Sequence, residues 1–88
     1  MFRLWGKEIQ DNRLLCDYMY EEQSDETRTH KVFNGVEAIC YKLDLGKPIW
    51  LDKNIREFQR HARTRFYQDS FVEELPFDYL EIEVVEED

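Results

Sequence analysis

Glycine, proline and cysteine are all scarce in this 88-residue chain, at three, two and two residues, and each scarcity removes a class of protein. Gly6, Gly35 and Gly46 are too far apart to build a phosphate-cradling loop, a nucleophile elbow or a dinucleotide fingerprint, all of which need clustered glycines. Cys16 and Cys40 cannot supply the multi-bridge framework of a small secreted domain, so reduced thiols are expected. Together with His30 and His61 they fall at intervals that contain no close ligand pair, which argues against structural zinc. No metal and no cofactor are expected. No apolar run approaches the roughly 20 residues of a membrane span, and Met1-Phe2-Arg3-Leu4-Trp5-Gly6-Lys7 meets charge too early for a signal-peptide core. The chain is therefore expected to be cytoplasmic, with no membrane partner.

The last absence is the most informative: no Lys or Arg follows Arg65. Residues 1–52 carry seven cations against ten acids, residues 53–65 five against one, and residues 66–88 none against nine, for a net charge of −8. Such sorting implies either that the basic and acidic segments lie against each other or that each faces a partner of opposite sign.

What is present is a globular composition, 42% hydrophobic and 15% aromatic, arranged in readable periods. Phe2 to Ile9 and Leu14 to Tyr20 flank Asp11-Asn12, residues that tolerate the left-handed angles of a two-residue turn, and so predict a β-hairpin. With Asp11 and Asn12 as the loop, Trp5 faces Tyr18, Lys7 faces Cys16, Leu4 faces Met19 and Glu8 faces Leu15. Val32, Phe33, Val36, Ile39, Cys40 and Leu43 form one helical stripe, capped by Ser24 or Asp25 and stopped by Gly46 and Pro48. Gly35, inside that helix, is expected to let another backbone approach closely. Asp52 is expected to cap a second helix from Lys53 to about Thr64, with Leu51, Ile55, Phe58 and Ala62 inward. Ser70-Phe71-Val72-Glu73 has the form of a capping box, predicting a single turn or irregular segment over 70–75. Leu80, Ile82 and Val84 alternate with Tyr79, Glu81, Glu83 and Val85 as a strand with one buried face. These elements predict one α+β domain over residues 1–88, in the order ββααβ, with an antiparallel sheet of about three strands packed on two helices and residues 85–88 frayed.

Lys47-Pro48-Ile49-Trp50-Leu51, Arg65-Phe66-Tyr67-Gln68-Asp69 and Leu75-Pro76-Phe77-Asp78-Tyr79-Leu80-Glu81-Ile82 resemble segments of a family of small uncharacterised bacterial proteins of similar length. The resemblance implies a bacterial cytosolic protein and brings no activity or functional residues with it.

Two binding surfaces follow from the residues themselves. The hairpin is apolar on both faces, and Leu4, Leu15 and Met19 mark a face expected to meet a protein partner or a second copy of the chain. This gives the primary expectation, a non-enzymatic interaction or regulatory module. The alternative is a nucleic-acid or phosphate ligand, held by Arg56, Arg60 and Arg63 on one face of the second helix with Tyr67 as a stacking residue. Net charge disfavours nucleic acid, and pairing of these arginines with the acidic C-terminal segment is the preferred expectation. No catalytic constellation is read: Cys40 lies on a buried stripe, Cys16 has no assigned base, and Asp69, Glu73, Glu74 and Asp78 lack the spacing of a metal or acid–base pair.

Overall fold

The computed structural model describes residues 1–87. In chain order it contains strands β1 (Phe2–Gln10) and β2 (Arg13–Glu22), helices α1 (Arg28–Lys42) and α2 (Asp52–His61), strand β3 (Arg63–Phe66), a 3₁₀ turn (Gln68–Ser70) and strand β4 (Tyr79–Glu86). The four strands form one antiparallel sheet in the order β2-β1-β4-β3, with both helices on one face. The expected α+β architecture of a sheet packed on helices is therefore the one observed.

The hairpin turns at Asp11 and Asn12, both with positive φ, as their side chains allow. The expected register holds only beside the turn, where Ile9 pairs with Leu14 and Gln10 with Arg13. A bulge opposite Glu8/Ile9 then inserts Leu15 as an extra residue, so Glu8 faces Cys16, Lys7 faces Asp17, Trp5 faces Met19 and Leu4 faces Tyr20. One inserted residue moves each later partner by one place and swaps the faces of β2.

Phe2, Leu4, Gly6 and Glu8 alternate inward along β1 and join Leu80 and Ile82 of β4 and Phe66 of β3 beneath the helices. Helix α1 contributes Val32, Val36, Ile39 and Cys40, and Phe71 and Phe77 close the core from the β3–β4 connection. The helix starts one turn later than expected, at Thr27, whose Oγ1 accepts the His30 N–H at 3.2 Å. Gly35 does permit close approach, from side chains rather than backbone: a Cβ there would lie 2.7 Å from Leu4 and 2.9 Å from Tyr20. Phe33, assigned to the inward stripe, is instead 49% exposed.

Helix α2 stops at His61 because Ala62 turns to φ 57, and its N–H closes on the Phe58 carbonyl at 2.9 Å. The chain then re-enters the sheet as β3, a fourth strand where helix was expected to continue. Thr64 and Phe66 point inward and Arg63 and Arg65 outward. The start of α2 also differs: Leu51 occupies the cap position and Asp52 the first turn, where its charge suits the positive end of the helix. Glu73 does not cap a turn of its own; its carboxylate accepts the Gly46 N–H at 2.8 Å and ties the β3–β4 connection to the end of α1.

Candidate anion-binding site

The outer face of the sheet carries no helix, and its charges pair across strands. Lys7 lies 2.9 Å from Glu81 and 3.4 Å from Glu83, Arg3 lies 3.1 Å from Glu21 and 3.2 Å from Glu86, and Arg65 donates to Glu81 at 2.8 Å. Burial alone would raise the Glu81 pKa, but the hydrogen bonds from Lys7 and Arg65 outweigh it and hold the carboxyl below its usual range. Glu81 therefore stays ionised and engaged.

These pairs account for where the acidic C-terminal segment goes. Glu86 also approaches the N-terminal ammonium, and Glu87 receives Arg28 of α1. Among the described residues, Lys53 is the one α2 cation that meets an acid of this segment, Asp69 at 3.2 Å. Among the described residues, Arg56, Arg60 and Arg63 form no ion pair. The expected pairing of Arg56, Arg60 and Arg63 with the acidic segment is thus not what the fold does; of the basic stretch only Lys53 and Arg65 meet its acids among the described residues, and β1 and α1 engage others.

The exposed cations border two adjoining hollows. One, of about 250 Å³, lies between the end of α2 and β3 and is lined by His61, Arg63, Arg65, Tyr67, Glu57 and Glu81. The other, of about 210 Å³, is lined by Lys53, Arg56 and Arg60, and shares Glu57 and His61 with the first. Arg56 and Arg60 are four residues apart on α2, about 6 Å along its axis, so they share a face. Arg63 lies beyond the αL residue on β3, not on that helical face as expected, and it extends the basic surface from helix to strand.

Beneath these side chains is a buried polar network. Asn54, fully buried, accepts the Leu51 N–H at 3.1 Å and donates to Thr64 Oγ1 and to the Arg65 carbonyl, each at 2.9 Å. The Thr64 hydroxyl in turn donates a hydrogen bond to the Glu57 carboxylate at 2.6 Å. The first turn of α2 is thereby fixed to β3, and Glu57 is held against the threonine. Asn54, Glu57 and Thr64 were not read as site residues. The available signal was a polar Asn beside the apolar stripe Leu51, Ile55 and Phe58, since a polar residue on an inward face needs partners.

Tyr67 is 40% exposed, as expected of a contact residue. Its ring is already flanked, by Tyr79 with centroids 5.2 Å apart and by the Lys53 ammonium at 5.2 Å. A base stacking there would compete with both contacts.

The hairpin site changes more. Leu4 is wholly buried against α1 and cannot meet a partner; the bulge that shifts the register puts Tyr20, not Met19, opposite it. Leu15 remains 52% exposed at the bulge, and Met19 lies half-exposed opposite Trp5 on the outer face. Cys16 does not face Lys7. Loss of water around its sulfur, together with the Glu8 carboxylate that accepts its proton at 3.0 Å, pushes the thiol up to about 11. Cys40 is buried and pushed up to about 12. Both thiols are thus held protonated at neutral pH, and β2, which carries Cys16, is the edge strand farthest from His61. The chain matches no protein family, curated protein or solved structure.

Proposed function

We propose that this protein is a non-enzymatic binding module whose α2–β3 surface holds phosphate groups of a ligand. The observation that carries the reading is that Arg56, Arg60 and Arg63 form no ion pair among the described residues, in a chain with 20 acids and 12 cations. Where carboxylates are in excess, an arginine left open beside a hollow is free to donate its N–H fork to phosphate oxygens. The carboxylates lining the hollows are already engaged: Glu81 by Lys7 and Arg65, and Glu57 by the Thr64 hydroxyl.

Because Tyr67 has its ring contacts filled, recognition rests on phosphate rather than on bases. Fluorescence anisotropy with a labelled 12-nucleotide single strand, its duplex and competing pyrophosphate separates the sources of that phosphate. The expected result is binding without sequence preference, with a log–log salt slope of about −2 for three neutralised phosphates on a single strand. Pyrophosphate competes, and R56E/R60E weakens binding at least tenfold. Pyrophosphate binding by isothermal titration calorimetry with no oligonucleotide binding would narrow the ligand to small phosphates. Absence of both interactions in 20 mM salt, or equal binding by R56E/R60E, would overturn the reading.

A further inference from the structure

His61 is the last residue of α2, is exposed, and forms part of the wall that the two hollows share. Among the described residues it has no hydrogen-bond or ion-pair partner, whereas His30 has its Nδ1 3.1 Å from the Glu26 carboxylate. The left-handed turn at Ala62 follows directly, and it brings Arg63 and Arg65 of β3 to the same hollow as the His61 ring. A phosphate seated in either hollow therefore meets this imidazole.

The two hollows differ in charge. In the one between α2 and β3, Arg65 and Glu81 satisfy each other, which leaves Arg63 against the Glu57 carboxylate, with the Tyr67 phenol beside them. In the other, Arg56 and Arg60, together with Lys53 that is shared with Asp69, outnumber Glu57. The second hollow is thus cationic whatever the state of His61, while the first becomes so only when the imidazole carries a proton. Histidine is the side-chain type whose charge ordinarily changes between pH 5 and 8; carboxyl, guanidinium, ammonium and phenol side chains ordinarily titrate outside that interval. Resting on the proposal that this surface binds phosphate, we infer that His61 contacts the ligand, and that its protonation joins the first hollow to the second as one site for at least two phosphates. A phosphate against the ring favours the protonated form, so by reciprocity binding tightens as pH falls.

Fluorescence anisotropy with a labelled 12-nucleotide thymidine strand, whose bases and phosphodiesters keep their charge between pH 6 and pH 8, reads this at both limits. Wild-type protein is expected to bind about threefold tighter at pH 6, the effect of one exposed ion pair, with a log–log salt slope steeper by about 0.7. His61→Gln keeps the weaker affinity at both pH values, and His61→Lys the tighter. Because His61 is exposed, both variants are expected to retain the wild-type circular dichroism spectrum. His30 and the N-terminal ammonium remain in each variant, so any pH effect of theirs survives in His61→Gln. If pyrophosphate alone binds, the ratio of wild-type to His61→Gln affinity carries the same test by calorimetry, since the titration of pyrophosphate cancels from it; the ratio is expected to be about threefold at pH 6 and near one at pH 8. Wild-type affinity or salt slope unchanged with pH, or a pH dependence retained by His61→Gln, would overturn the role of His61 and leave Arg56 and Arg60 as the site. Absence of wild-type binding to either ligand at both pH values would remove the phosphate site itself, and this inference with it.

Discussion

A single buried asparagine does the work of a cap and a cross-link in this fold. Asn54 meets the backbone of Leu51 at the start of α2 and both the hydroxyl of Thr64 and the carbonyl of Arg65 on β3. Removing the amide leaves buried groups without partners, which costs more than the bonds themselves contribute. N54A is accordingly expected to lose about 1–3 kcal/mol. For a domain of this size that is a fall in Tm of roughly 5–20 °C, read by thermal unfolding followed by circular dichroism. A shift below about 2 °C would show that the network is incidental. The same residue scale explains why Cys16, placed beside a lysine by the simplest hairpin register, sits beside a carboxylate: Leu15 occupies a bulge that no local pattern announces.

At the scale of elements, the features legible in the sequence were those with a strong period or an unambiguous turn residue. Asp11-Asn12 gave the hairpin, the stripe from Val32 to Cys40 gave α1, and Leu80, Ile82 and Val84 gave β4. The end of α2 was not legible, because alanine favours helix and gives no stop signal, yet Ala62 takes the left-handed conformation that glycine usually supplies. With that stop hidden, Arg63 and Thr64 read as the end of the helix and Phe66 as the connection after it, since four residues are too few to establish an alternation. The basic surface was visible as composition but not as geometry, for Arg63 reaches it from a strand. Since an L-residue in the left-handed region carries strain of about 1 kcal/mol, A62G is expected to stabilise the protein by about 0.5–1 kcal/mol in denaturant unfolding. Unchanged or reduced stability would mean that the α2–β3 junction is held by something other than its backbone conformation.

For the whole molecule, sheet order decides how charge is distributed. Placing β4 between β1 and β3 sets Glu81 and Glu83 beside Lys7 and Arg65, carries Glu86 to Arg3 and brings Glu87 to Arg28. The acids are engaged before they can reach the arginines of α2, and an anionic protein retains an open cationic surface. Side-chain Nε–H signals of the seven arginines test this sorting most directly, through hydrogen-exchange rates measured by NMR before and after addition of pyrophosphate. The account predicts slow exchange at Arg3, Arg28 and Arg65 in the free protein, with fast exchange at Arg56, Arg60 and Arg63. Pyrophosphate should then shift and slow the second group alone. Protection of Arg56 and Arg60 in the free protein, or a response confined to the paired arginines, would contradict it.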